Sequence, residues 1–281
     1  MSTGRRMPGR WLVAALLMMS MGGARAAERP LWEFGLGVGA VSFPDYRGSD
    51  RQRTHAVPVP YLIYRGEFLK ADREGLRGVF FDTDRVEVNV SLGASVPVDS
   101  DGNEARKGMP DLDPTIEVGP SVDLTVWRSE DARVKLDLRL PLRWAMTVGD
   151  RPRDIGMVFS PRVNLDVRDP FGQNGWNLGL LAGPIYADER NHAYFYDVSP
   201  RYATATRPAY AADGGYSGTQ FIAALSKRYP RFWVGAFMRY DTLHGAAFED
   251  SPLVRRDSAW AAGFGVAWML GESSQRVTVD D

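Results

Sequence analysis

The chain contains no cysteine, so disulfide staples and thiolate metal sites are excluded at once. It has only three histidines, His55, His192 and His244. No two lie at a spacing that would put them on one face, which argues against a metal site built mainly of imidazole. Positive charge is not in surplus: 34 Lys and Arg face 35 Asp and Glu, so the basic footprint of a nucleic-acid-binding protein is missing. Beyond residue 26 no stretch approaches ~18 consecutive apolar residues, and no membrane-spanning helix is expected.

What is present is alternation. In residues 85–96 one parity reads Val86, Val88, Val90, Leu92, Ala94 and Val96, and the other reads Glu87, Asn89, Ser91, Gly93 and Ser95. Residues 115–127 and 132–147 repeat the pattern, with Glu117 and Asp123, then Lys135, Arg139 and Arg143, on the polar parity. Successive side chains of a strand point to opposite faces, so each segment is a ribbon with one oily and one polar side. Segments of this length joined by very unequal turns point to a transmembrane antiparallel up-and-down β-barrel.

Twelve strands are predicted, at residues 31–43, 54–64, 67–73, 76–81, 85–96, 115–127, 132–147, 156–168, 176–186, 216–228, 231–241 and 258–270. Merging or losing the short third and fourth would leave ten. An even count puts both termini at one end. The connections at that end are then all short, and five of the six at the other are long, the asymmetry of bacterial outer-membrane barrels. Aromatic residues such as Trp32, Trp127, Trp144, Trp176, Trp260 and Trp268 gather near strand ends, as interfacial girdles require. Gly35, Gly37 and Gly39 share the inward parity of the first strand, where small residues leave room for large ones opposite.

Residues 1–26 read as an export signal: Arg5, Arg6 and Arg10 precede an apolar stretch, and Ala24-Arg25-Ala26 offers a small-x-small cleavage site. Their removal takes four arginines and no acid, moving the net charge from −1 to −5. The expected organisation is a signal peptide at 1–26, a barrel at 27–270 and a polar C-terminal tail at 271–281.

The run from Gly35 to Ser49, with Pro44-Asp45-Tyr46-Arg47-Gly48-Ser49 at its end, and then Pro58-Val59-Pro60-Tyr61, resembles the MltA-interacting protein (MipA/OmpV) family. Tyr194-Phe195-Tyr196-Asp197-Val198, Tyr216-Ser217-Gly218 and Asp250-Ser251-Pro252-Leu253-Val254 follow in the same order, so the resemblance spans nearly the whole exported chain. It implies an outer-membrane barrel among lipid and lipopolysaccharide, without known catalytic residues or a cofactor. It also implies a scaffold for a murein lytic transglycosylase and a bifunctional penicillin-binding protein. One departure is the polar tail, where members of this family usually finish on an aromatic residue. Physically, Pro44, Asp45, Tyr46, Gly48 and Ser49 are turn chemistry that shapes the first outer loop, and Asp250, Ser251 and Pro252 do the same at the last.

Chemistry is harder to find. Barrel lipid hydrolases place a His and a Ser two residues apart on one strand face, and none of the three histidines has that partner. Asp99, Asp101, Glu104, Asp111 and Asp113 crowd one loop, but the spacing of a calcium loop is absent and Arg106 and Lys107 intrude. No catalytic or metal site is therefore assigned. The remaining candidates are inward-facing charges: Glu87, Glu117, Asp123, Lys135, Arg139, Arg143 and Arg162. Their mixed signs suit ion pairs that plug the lumen. The alternative is a narrow channel in which they select small solutes.

Overall fold

The computed structural model describes residues 27–66, 68–72, 75–149, 151–172 and 175–279; residues 1–26, expected to be an export signal, lie outside them. The alternating segments form a closed antiparallel barrel of twelve spans. In chain order they are β2 (Trp32–Pro44), β3 (Gln52–Arg65), β4 (Leu69–Asp72), β5 (Gly75–Asp82), β6 (Val86–Ser95), β7 (Thr115–Arg128) and β8 (Val134–Thr147). Then come β9 (Asp154–Phe159) with β10 (Arg162–Arg168), β11 (Trp176–Ala187), β12 (Gly215–Arg228), β13 (Phe232–Thr242) and β14 (Ser258–Glu272). β9 and β10 are two halves of one span, both paired with β8 and β11. The break falls at Ser160-Pro161, where proline has no N–H for the ladder. The short third and fourth spans both exist, so the count is twelve rather than ten.

Burial follows parity. On β2, Phe34, Leu36 and Val38 are exposed on the outside, whereas Glu33, Gly35 and Gly37 are buried within. A Cβ on Gly37 would run into the backbone of Val266 and Ala267, and one on Gly263 would strike the inward ring of Phe237. The smooth wall of β14 and β2 thus leaves room for bulk from its neighbours. Outward aromatics form two belts. Tyr229–Phe232 and Phe171–Trp176 pack near the short turns, with ring centroids 4.4 and 6.2 Å apart; Tyr240–Trp260 and Tyr186–Tyr216 pack near the long loops, at 4.6 and 5.8 Å.

Two departures matter for function. Within the segment expected as a tail, residues Arg276–Val279 form β15, antiparallel to β1 (Ala27–Pro30). Ser273 N donates to the Trp32 carbonyl and Leu31 N to that of Gln275, so the ladder of β14 and β2 runs past the rim as a two-stranded ribbon. At the other end, the expected loop after β11 contains a helix, α1 (Glu189–Tyr196), capped by Asp188, whose carboxylate accepts from Asn191 N. An Asp before a helix is a good N-cap, but eight residues of modest amphipathicity give little helical signal of their own.

Candidate functional site

The lumen is built from the polar parity of the spans. At the turn end, buried Glu33 on β2 receives Arg65 at 2.9 Å and, from three strands away, Arg228 at 2.6 Å. Tyr61 adds a hydroxyl at 3.4 Å and packs against Trp233 at 6.2 Å. This cluster ties β2 and β3 to β12 at the turn end of the lumen.

Along β5 to β10 the charges interleave. Glu87 accepts from Arg77 and from Asn89, both at 2.9 Å, and Asn89 also donates to Asp123 at 3.2 Å. Arg139 lies 3.6 Å from Asp137 and 3.9 Å from Asp123, and Lys135 lies 3.1 Å from Asp137. Arg143 donates to Ser160 Oγ at 2.6 Å and reaches Glu117 at 3.5 Å and the Leu92 carbonyl at 3.4 Å. A Cβ on Gly93 would meet both Arg143 and Glu117 at 2.9 Å, so that glycine makes room for the pair. Arg162 stands apart: among the described residues it makes no ion pair within 4.0 Å, and its buried Nε has no hydrogen-bond partner. Interleaving of this kind offsets the desolvation of the charges that are paired.

The loop end is closed by a hydrophobic core of its own. Tyr46, Val98, Leu112, Tyr196, Val198, Ala212, Leu243, Ala246, Phe248 and Leu253 come from four different connections and pack together. Tyr196 stacks on Phe248 with centroids 3.6 Å apart, and the Tyr46 hydroxyl donates to the Leu253 carbonyl at 2.8 Å. Burial raises the Tyr46 and Tyr196 hydroxyls well above the usual phenol range, so both remain donors at any physiological pH.

The motif residues are the clamps of this cap. Asp45 takes Arg53 at 2.5 Å and Asn103 at 2.8 Å, and Ser49 Oγ accepts from Asn103 at 3.0 Å. Gly48 has φ +92°, which suits glycine, and its carbonyl accepts from Arg255 and Arg256 N. Ser251 Oγ donates to the Tyr196 carbonyl at 2.7 Å, between the neighbouring Asp250 and Pro252. Pro44 ends β2 and is buried beneath. The acidic loop makes turn bonds instead of converging: Asp111 accepts from Ser100 N at 2.8 Å, Asp99 from Asp101 N at 3.1 Å, and Asp113 pairs with Arg153 at 3.2 Å.

Two features carried no spacing signal or were passed over. His192 and Ser217 lie 25 residues apart, yet Nε2 meets Oγ at 2.6 Å while Nδ1 meets the Asp213 carbonyl at 2.6 Å. Nδ1 must donate to that carbonyl, so Nε2 accepts from the serine and the helix is pinned to β12. Burial, with Arg47 nearby, lowers the His192 pKa and keeps the ring neutral. Fully buried Asp241 lies 2.9 Å from Arg239, 3.4 Å from Arg47 of the first loop and 3.0 Å from Gln220, joining cap to wall. The inward parity of β13, with Arg239 two places before Asp241, is the signal that could have revealed it.

Below the cap lies a chamber of about 480 Å³ lined by Arg47, Glu117, Arg143, Arg162, Gln220 and Arg239. A second cavity of about 460 Å³, with Val57, Val59, Arg139, Asn164 and Trp233 on its wall, continues toward the turns.

A family model described as MltA-interacting protein MipA matches residues 36–270. Outer membrane protein OmpV of Vibrio cholerae is 26% identical over 211 residues, covering 73% of this chain and 75% of the relative. Omp26La of Vibrio anguillarum is 25% identical, with the same 73% and 75% coverage. An outer membrane channel from Pseudomonas putida F1 is similar at 12% identity and a TM-score of 0.42, over 88% of this chain and 98% of its own. Pseudomonas putida OprB is similar at 11% identity and a TM-score of 0.35, over 85% and 94%.

Proposed function

The chain belongs to the MltA-interacting protein MipA family of outer-membrane barrels, and on that premise we propose that it is a non-enzymatic anchor for murein-remodelling enzymes. The partner named in the family description is MltA; the resemblance adds that this partner is a murein lytic transglycosylase, with a penicillin-binding protein as the second member. What carries the reading is the two-stranded ribbon of β1 and β15, which projects from the end with short turns. In outer-membrane barrels that end faces the periplasm. A ribbon of two strands has two free edges, and strand addition to such an edge is a common mode of partner capture. It also enlarges a contact surface that bare turns would leave far below the ~800 Å² of a stable interface.

Immobilised full-length barrel in detergent should capture a purified MltA-type transglycosylase. Val277→Pro, which removes a ladder donor from β15, should weaken capture by about tenfold. Capture unchanged by Val277→Pro, or absent altogether, overturns this reading.

The two internal cavities and their arginines support a second reading, a narrow channel. In planar bilayers it predicts steady conductance whose ion selectivity shifts with Arg139→Glu or Arg143→Glu.

A further inference from the structure

The wall has an opening in its loop-end half. β3 runs for 14 residues and β6 for 10, but β4 has only 4 and β5 only 8. Among the described residues, β3 pairs with β4 through Tyr64 and Arg65 and β6 pairs with β5 from Glu87 to Val90. Above those pairs, no strand lies between β3 and β6 among the described residues. The gap is roofed where Asn103 of the loop after β6 donates to Asp45 and Ser49. Outward side chains on its two sides are apolar: Ala56, Pro58, Pro60 and Leu62 on β3, Leu92, Ala94 and Val96 around the end of β6. It therefore sits at the level of lipid.

Two prolines mark the edge. Arg65 N donates to the Leu31 carbonyl and Asp45 N to that of Arg51, and the register of β2 with β3 is unbroken between them. Odd-numbered residues of β3 therefore bond to β2, and the even-numbered Pro58 and Pro60 turn their ring nitrogens toward the gap. Proline is tolerated there because no partner strand needs its N–H, and it stops one from zipping in. By the same parity, Thr125 N to the Arg85 carbonyl turns Leu92 and Ala94 of β6 toward the gap. Carbonyls left on both edges cannot stay dry in hydrocarbon, so water or a polar guest must meet them. One already has a donor: Arg143, from inside, reaches the Leu92 carbonyl.

The chamber behind the opening is lined by lumen-facing Gly93 and Ser95 and also by Ala94 and Val96, so it wraps around the free edge of β6. Glu117 is matched by Arg143, and Asp241 lies between Arg47 and Arg239, which leaves positive charge in surplus with Arg162 unpaired. We propose that this gap is a lateral port through which a single-tailed anionic amphiphile, such as a fatty carboxylate, passes between the outer leaflet and the upper chamber, its head drawn to Arg162 and Arg143. The chamber has the size of small-molecule pockets, which suits one tail. The port is independent of any periplasmic partner.

The full chain in liposomes is irradiated with a diazirine dodecanoate, with the diazirine alcohol of the same length, or with a diazirine phosphatidylglycerol, and adducts are mapped by mass spectrometry. The carboxylate should mark the chamber-lining Val41, Phe43 and Ser95, whereas the alcohol and the two-tailed lipid should mark only outward residues. Arg162→Met, folded as judged by heat-modifiable gel migration, should lower the lumen adducts about tenfold. Stapling Ala56→Cys to Ala94→Cys with a flexible bis-maleimide, simple in a chain without cysteine, should abolish them and spare the outward ones. Carboxylate adducts confined to outward residues, or lumen adducts that the neutral alcohol or the two-tailed lipid matches or that survive the staple, overturn the port.

Discussion

The loop cap and the wall beneath it obey opposite rules. In the cap, Leu243, Phe248, Leu253 and Val198 are each at most 1% exposed, an ordinary apolar interior. In the wall, Phe264 is 66% exposed and Val38 65%, while Asp137 and Asp241 are buried. The difference follows from the solvent. The cap meets water and hides its apolar groups, whereas the wall meets lipid and turns its polar groups toward the lumen. A single chain therefore holds two interiors, one oily and one ionic, joined where Arg47 and His192 of the loops touch Asp241 and Ser217 of the strands.

That junction is the place to break the comparison. Asp241→Ala leaves Arg47 and Arg239 facing each other without their shared carboxylate, and should cost about 3–5 kcal/mol. Urea unfolding in detergent would show the loss in both regions at once. Phe248→Ala should remove about 3 kcal/mol from the cap alone. Limited proteolysis should then cut the loops while the barrel keeps its heat-modifiable migration; simultaneous loss of both would mean that the two interiors are one cooperative unit.

A smaller effect comes with pH. Because the folded pKa of His192 lies below its unfolded value of about 6.5, the unfolded state takes up the proton first. The cap should thus be at full stability above that value and lose stability progressively as pH falls through it toward the folded pKa. His192→Gln should flatten the dependence seen in loop hydrogen exchange. Least of all, Arg153→Ala breaks a bridge to Asp113 whose partners are 60% and 48% exposed, and should change stability by less than about 1 kcal/mol.

Much of the wall was legible in advance because its signal is local. The parity of Val86 to Val96 against Glu87 to Ser95 already assigns lipid and lumen faces, and the unequal connections already sort the two ends. Pro58 and Pro60 gave a signal that was not used, since proline inside a strand marks an edge, but alternation does not say which neighbour is missing. The clamps were not legible. Asp45 meets Asn103, His192 meets Ser217 and Arg228 meets Glu33 across 58, 25 and 195 positions, and no spacing rule relates such pairs.

Alternation alone dictated that this chain would be a ribbon of two-faced strands wound into a membrane barrel, because side-chain direction reverses at every residue whatever lies around it. Closure of the cylinder decided the rest: which loops would meet over the mouth, which lumen charges would pair, and where the short spans β4 and β5 would fall between longer neighbours. Those outcomes depend on barrel diameter, strand stagger and loop paths, which come into being only when distant spans are joined.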